Sequence, residues 1–324
     1  MTAVYAPRPA HLKWLLEGDP AIRWQVMRDL TDEPPHVVAA ERARVATEGW
    51  GAELLRLQGP RGNWFGPDER HGYMHSLYVL TVLKDLGLDP DSEPARTMIG
   101  RVKEHLAFEA LGNRPFLDGE TEPCINGRIL MIGAIYNEPH DALAEQLLSE
   151  QLDDGGWNCE APQSRRSSFH STICVLEGLL AYERAGGVSP ELTAARQRAE
   201  AYLLDRRMMR SLRTGEIVDK HWLRFAFPPV WHYDVLRGLD YLREAEVEPD
   251  ARIDEAIEVV IARRHQNGRW PLNRLHKEAA IIPVPMETEV GRASRWNTLR
   301  ALRVLRWSAS ARARERSAPA PSSR

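Results

Sequence analysis

The segment His170-Ser171-Thr172-Ile173-Cys174-Val175-Leu176-Glu177-Gly178-Leu179 begins with polar residues and continues as an apolar stretch. Its apolar residues recur at the three- and four-residue spacing of a helix, and a helix that is apolar nearly all round is buried. Five further segments repeat this pattern, and the six begin near residues 24, 75, 126, 170, 232 and 296. Recurrence of one pattern along the whole chain predicts a repeat architecture with six inner helices.

More polar segments lie between these six, over residues 36–57, 92–108, 139–151, 189–205 and 250–265. Each is apolar along a single stripe, which is typical of a helix on the outside of a fold. We therefore predict an all-α fold, an (α/α)6 toroid of six inner and about six outer helices, as one domain over residues 1–308. The alternative is an open α-solenoid of helix pairs. Residues 309–324, rich in Arg, Ser, Pro and Ala, are predicted to be a disordered tail.

Composition excludes several classes of protein. The 324 residues include 43 basic and 46 acidic side chains, so the chain lacks the basic excess of a nucleic-acid-binding protein. No uncharged apolar run reaches the length of a membrane-spanning helix. Three cysteines, and a first segment without the basic-then-apolar order of a signal peptide, predict a cytoplasmic protein. The sequence leaves the oligomeric state open.

Three predicted turns between an outer and an inner helix share Gln, Gly and Trp, at residues 58–64, 151–157 and 266–270. A Gln amide can bond the free carbonyls of a helix end, Gly can adopt the positive φ that stops the helix, and Trp buries a large surface. These turns resemble the QW repeat of the terpene cyclases and the related repeat of protein prenyltransferase β-subunits. The resemblance covers nearly the whole chain and implies an α/α toroid.

A narrower resemblance is to the zinc site of protein prenyltransferase β-subunits. Glu122-Pro123-Cys124 precedes the third inner helix, and Gly155-Gly156 is followed by Phe169-His170-Ser171-Thr172 at the start of the fourth. The resemblance implies zinc bound by Glu122, Cys124 and His170, with a fourth position open for substrate. We expect Cys124 in the first turn of its helix, where the helix dipole lowers a thiol pKa. The alternative is a buried thiol beside a helix-capping imidazole.

Other motifs of these families are missing from the sequence. Residues 116–121 read Phe-Leu-Asp-Gly-Glu-Thr, where the prenyltransferases carry basic residues that bind diphosphate. The Asp-x-Asp-Asp motif of class II terpene cyclases and the Asp-Asp-x-x-Asp motif of ionising cyclases do not occur. The resemblance therefore implies the scaffold and not the reaction.

If the inner helices all point the same way, their first turns line one mouth of the ring. Aromatic walls with a few polar groups are typical of a small-molecule pocket. We predict that His232, Asp234 and His75 are catalytic, with Asp234 orienting an imidazole. His71 and His75, four residues apart, are a further candidate pair for a metal ion. Predicted substrate-binding residues are Trp24, Tyr73, Tyr233, Trp296 and Asn126.

These residues favour an enzyme that acts on an apolar, isoprenoid-like small molecule, with zinc as its cofactor. Two other classes remain open: a non-catalytic toroid that binds a hydrophobic ligand, and a helical scaffold for protein interactions.

Overall fold

The computed structural model describes residues 7–65 and 72–317, with side chains to residue 310. This part of the chain contains thirteen α-helices and one short antiparallel hairpin of β1 and β2. The helices are α1 Pro9–Leu16, α2 Pro20–Asp29, α3 Pro35–Ala43, α4 Gly49–Arg56, α5 Gly72–Leu86, α6 Glu93–His105, α7 Pro123–Ile135, α8 Asp141–Ser149, α9 Phe169–Arg184, α10 Pro190–Asp205, α11 Val235–Glu244, α12 Asp254–Ala262 and α13 Arg295–Ser317. The strands are β1 Ala107–Phe108 and β2 Arg114–Pro115.

The six predicted inner helices are α2, α5, α7, α9, α11 and α13. Helix α7 packs beside α5 and α9, and α13 packs beside α11 and α2. Helices α9 and α11 are joined by the hydrogen bond from Arg237 Nε to Glu177 Oε1 at 2.9 Å. The closest pair is α7 and α9, where a Cβ on Gly127 would lie 2.6 Å from the Cys174 carbonyl oxygen. The last inner helix returns to the first, because Arg303 Nη1 donates to Gln25 Oε1 at 2.9 Å. Trp24 Nε1 in turn donates to the Leu86 carbonyl at the end of α5, at 2.9 Å. The ring is therefore closed, which confirms the all-α toroid and rules out the open solenoid.

In residues 7–65 and 72–317, six outer units surround this ring. The predicted segment 36–57 contains α3 and α4, joined by a short 3-10 turn, and the other four predicted segments contain α6, α8, α10 and α12. The sixth unit, α1, was not predicted. It lies beside the start of α13, where Arg295 Nε donates to the Trp14 carbonyl at 3.1 Å.

The three Gly-Trp turns have one structure. In each turn the Trp Nε1 donates to the carbonyl ten residues earlier: Trp64 to Leu54, Trp157 to Leu147 and Trp270 to Val260. The Gly two residues before each Trp has a positive φ, between 76° and 97°. The indoles are almost completely buried. Each turn thus ties the end of an outer helix to the inner helix that follows.

The glutamines follow this structure only in part. Gln58 and Gln151 lie six residues before their Trp and donate to the next outer helix, at Met98 O (3.0 Å) and Ala195 O (2.8 Å). Gln266 lies four residues before Trp270 and is exposed, so it does not take this position.

Two boundaries differ from the sequence-based expectation. Helix α11 begins at Val235, so His232 and Tyr233 precede the helix that we expected them to open. Helix α13 continues to Ser317, beyond residue 308, where we placed the end of the domain. In the described part of the chain, no helix combines the length and apolarity needed to cross a membrane.

Candidate functional site

The ring has two chemically different ends. The C-terminal ends of α5, α7, α9 and α11 surround a cavity of about 760 Å³ on the ring axis. The N-terminal ends of α7 and α9 carry Cys124 and His170. We call the first the axial cavity and the second the histidine end. The segment 226–232 lies between them, because Phe227 and Pro229 line the cavity whereas Trp231 and His232 belong to the histidine end.

The axial cavity combines aromatic and charged side chains. Trp24 and Trp296, both predicted to bind substrate, line it together with Phe227. The ring of Phe227 stacks on Trp296 with centroids 4.1 Å apart and planes 11° from parallel. Seven cationic side chains and four carboxylates complete the charged lining: Arg28, Arg42, Lys84, Arg184, Arg237, Arg300 and Arg303 with Asp85, Glu177, Asp240 and Glu244. The cavity is therefore more polar than the apolar, aromatic-lined pocket that we expected.

Most of these charges are paired with one another. Arg237 holds Glu177 through two hydrogen bonds of 2.9 and 2.7 Å. Asp240 is shared by Arg303 (2.7 Å), Arg243 (2.9 Å) and Arg300 (3.6 Å). Burial acts to raise the pKa of Asp240, but these guanidinium groups lower it strongly overall. The same arginines have further carboxylate partners, since Arg303 lies 3.4 Å from Asp29, Arg243 lies 3.9 Å from Glu244 and Arg300 lies 3.9 Å from Asp234.

Arg42 differs from the other cavity cations. Its Nε and Nη2 donate to the carbonyls of Gly87 (2.8 Å) and Leu88 (3.3 Å), and its guanidinium lies 5.3 Å from the centroid of the Trp24 ring. Among residues 7–65 and 72–310, no carboxylate lies within ion-pair distance of it. It can therefore bind an anion without first breaking an ion pair.

Asp85 differs from the other cavity carboxyls. Burial raises the pKa of Asp85 even though Lys84 Nζ is 3.2 Å from its Oδ1. The pKa values of Glu177, Asp240 and Glu244 are all lowered by neighbouring cations against the effect of burial. A carboxyl whose pKa is raised among others whose pKa is lowered is a candidate proton donor.

The histidine end contains a stack of three rings. The His232 ring lies between Trp231, at 3.8 Å and 26°, and His276, at 3.7 Å and 6°. His232 Nε2 donates to Glu278 Oε2 at 3.1 Å, and Trp231 Nε1 donates to Glu278 Oε1 at 3.2 Å. The ligand atoms of His232, His276 and Glu278 all lie within 4.8 Å of one another.

Burial lowers the pKa of all three histidines at this end. The pKa falls to about 4 for His170 and to about 3 for His276, and that of His232 is also lowered, with Glu278 opposing the change. The imidazoles are therefore neutral at pH 7. His170 Nδ1 accepts the Tyr233 backbone N–H at 2.8 Å, so its Nε2 carries the hydrogen of the neutral ring.

The predicted zinc ligands are not brought together as a set. Glu122 and Cys124 form a group with Cys159, in which the ligand atoms lie within 4.8 Å of one another, and His170 belongs to no such group among the described residues. A hydrogen bond to Cys159, with burial, raises the pKa of Cys124, and the same bond lowers that of Cys159. The lowering of the Cys124 pKa that we expected from the helix dipole is therefore not seen. The three predicted ligands therefore do not form one group in this structure, and zinc at Glu122, Cys124 and His170 stays a prediction.

Other predicted site residues have structural partners. Asp234 does not orient an imidazole, because its carboxylate caps α11 by accepting from Arg237 N at 2.8 Å. The carboxylate that orients the His232 imidazole is Glu278. The Tyr233 hydroxyl donates to the Met208 carbonyl at 2.7 Å in the core. Buried Asn126 bonds both the N–H and the carbonyl of Glu120, at 2.7 and 3.0 Å. These contacts hold loops and helix ends in place and leave none of the three groups facing a ligand.

Two further predicted residues lie in the first turns of α5. Tyr73 packs edge-on against Phe108 with centroids 4.8 Å apart, and His75 lies 3.8 Å from the Phe65 ring. Neither lines the axial cavity. His71 lies outside the described residues.

Several candidate residues escaped the sequence analysis. His276 and Glu278 lie in a long connection without helical periodicity. The feature of the sequence that could have indicated a site there is their two-residue spacing. Lys84 and Asp85 lie in the last turn of α5, and no short motif marks them. Arg128 is 1% exposed with no carboxylate within ion-pair distance in the described chain, and its Nη1 has no hydrogen-bond partner there. Its guanidinium lies 5.5 Å from the Tyr78 ring centroid, and no short motif marks such a position.

Comparison with known proteins adds little beyond the fold. No family model and no curated protein matches the chain. A solved structure described as a protein from Actinoplanes is 18% identical, with a TM-score of 0.45, over 95% of this chain and 100% of that one. The type II terpene cyclase MstE from Scytonema is 15% identical, with a TM-score of 0.42, over 91% of this chain and 89% of that one. A variant of the same cyclase, in complex with geranylgeranyl dihydroxybenzoate, is 16% identical with a TM-score of 0.40, over 91% and 88%. Scores below 0.5 carry no functional argument, so the toroid rests on the helix order and ring closure.

Proposed function

We propose that the protein is an enzyme that binds an anionic, isoprenoid-like small molecule in the axial cavity. The observation that carries this proposal is the combination of aromatic walls and surplus positive charge in one space of about 760 Å³. Trp24, Phe227 and Trp296 offer apolar surface to a hydrocarbon chain. The cavity has the size and lining of a small-molecule site.

Arg42 is the expected partner of the anionic group. A guanidinium without a carboxylate partner can bind phosphate or carboxylate through two parallel hydrogen bonds. Trp296 lines the same cavity, and its Nε1 is a buried donor without a hydrogen-bond partner in the described chain. A buried donor without a partner is costly, and an acceptor atom on the ligand would satisfy it.

Asp85 is the side chain that we assign to proton transfer. Burial raises its pKa, and in its protonated form the carboxyl can donate a proton to an alkene carbon of the bound ligand. The carboxylate left behind would be stabilised by the Lys84 ammonium at 3.2 Å. This proton transfer from Asp85 does not require zinc or another metal ion.

Binding can be tested by calorimetry with farnesyl diphosphate and with uncharged farnesol. We expect the diphosphate to bind, farnesol to bind at least tenfold more weakly, and Arg42→Gln to remove most of that difference. Arg44→Gln is the matched control, because Arg44 is on the outside of the ring and paired with Glu41 and Glu48. Equal affinity for the two ligands, or equal loss in the two variants, would refute the anion site.

Catalysis is tested separately by mass spectrometry of the products. Asp85→Asn should keep the affinity for the diphosphate and lose product formation. Unchanged turnover in this variant would refute the role of Asp85. Binding without any product in the unsubstituted protein would support the non-catalytic binding protein instead.

A further inference from the structure

We infer that His232, His276 and Glu278 form a binding site for a divalent transition-metal ion at the histidine end. The inference is independent of the proposed ligand, because none of the three residues lines the axial cavity. It also differs from the zinc site that the sequence resemblance implies, since it shares no residue with Glu122, Cys124 and His170.

The first argument is the donor set. Two imidazoles and one carboxylate are ligands of catalytic zinc, and three protein ligands leave a position open for water or substrate. Their ligand atoms lie within 4.8 Å of one another. The separation of 3.1 Å between His232 Nε2 and Glu278 Oε2 is also compatible with two ligands of one ion. A metal ion would take the place of the proton that these two atoms share.

The second argument is the support behind the ligands. Trp231 Nε1 holds Glu278 Oε1 at 3.2 Å and leaves Oε2 directed at His232. Arg237 Nη1 donates to the His232 backbone carbonyl at 2.8 Å, which holds the segment before α11 in place. His276 and Glu278 are 6% and 7% exposed, so their side chains are held among neighbours. Such outer contacts orient the ligands of metal sites.

The His232 and His276 rings are nearly parallel, at 6°. A nitrogen lone pair lies in the plane of its ring, so two parallel rings do not point at one ion. Binding therefore requires one ring to rotate about its Cβ–Cγ bond. We expect His276 to rotate, because Glu278 and Trp231 fix His232 on its other side.

The experiment uses full-length protein made without a polyhistidine tag and stripped of metal with a chelator. Zinc is titrated by calorimetry in the absence of any other ligand. We expect one equivalent per chain, with affinity reduced at least tenfold by His276→Gln and by Glu278→Gln. Trp231→Phe removes an outer contact only and should reduce affinity about 10–100-fold. His221→Gln is the matched control, because His221 is exposed and bonded to Asp219, and it should leave affinity unchanged.

Cobalt separates this site from the cysteine group. Bound Co²⁺ should show no sulfur-to-metal charge-transfer absorption, and Cys159→Ser should bind as the unsubstituted protein does. Loss of binding in Cys159→Ser, or a charge-transfer band, would assign the ion to the Glu122, Cys124 and Cys159 group and overturn the inference. Failure to bind zinc, or unchanged affinity in folded His276→Gln and Glu278→Gln, would overturn it as well. The circular dichroism spectrum of each variant identifies those that are folded.

Discussion

The Gly-Trp turns give the sharpest test of how the double ring is held together. Trp157 is fully buried between α8 and α9, its Nε1 donates to the Leu147 carbonyl at 2.7 Å, and its backbone N–H donates to Thr172 Oγ1 at 3.1 Å. We predict that Trp157→Ala lowers the free energy of unfolding by about 3–5 kcal/mol, the range for removing a buried aromatic side chain.

Trp157→Phe divides this cost into packing and hydrogen bonding. Phe keeps an aromatic ring but leaves the Leu147 carbonyl without its donor, which costs about 1–3 kcal/mol when that group stays buried. Because Trp64 and Trp270 make the same bond to the carbonyl ten residues earlier, their substitutions by Phe should have costs in the same range.

Urea unfolding followed by circular dichroism measures these differences. Trp307→Phe is the control, because Trp307 is half-buried on α13 outside the turns, and its cost should be the smallest of the series. A near-neutral Trp157→Ala would refute the structural role of the turn. So would a variant that kept its stability and lost ligand binding, since Trp157 would then be a ligand contact.

Four further predictions concern buried charge and ring protection. Asp240→Asn should cost about 3–5 kcal/mol in urea unfolding because it leaves three arginines without their shared carboxylate, whereas exposed Asp250→Asn should cost under about 1 kcal/mol. Folding lowers the pKa of the Asp240 carboxyl from 3.8. Its contribution to the free energy of unfolding is therefore present above about pH 4 and is lost as the pH falls towards the lower pKa of the folded state. Acid unfolding should show this loss of stability for the unsubstituted protein and not for Asp240→Asn. Arg128→Met should unfold at no lower urea concentration than the unsubstituted protein, because it removes a buried cation without a carboxylate partner, and a lower midpoint would contradict this. Hydrogen exchange measured by mass spectrometry should be slowest in α5, α7, α9 and α11, and equal rates in outer helices would contradict the shielding of the inner ring.

The helices and turns were predictable because their signals are local. The spacing of apolar residues distinguishes a buried helix such as α9 from a one-sided helix such as α10 without knowledge of their neighbours. Gly155, two residues before Trp157, takes a positive φ within the turn, a preference that depends only on the adjacent backbone. It does not stop α8 as we expected, because that helix ends six residues earlier, at Ser149. One such signal was missed: α1 is short and falls outside the repeat spacing, so no periodic pattern identified it as the sixth outer unit.

The candidate sites depended on facts that no local pattern contains. Closing the ring buried Asp85 and Glu177, which a helix-by-helix interpretation leaves in solvent, and burial changed their pKa values. The path of the connection between α12 and α13 brought His276 and Glu278 to His232 across more than forty residues. The sequence by itself determined the helices, their order and the turns between them, because these follow from residue spacing and backbone preference. Only the tertiary structure decided which polar groups come into contact. Those contacts depend on how the helix ends are arranged around the ring axis and on which groups the closed ring shields from water.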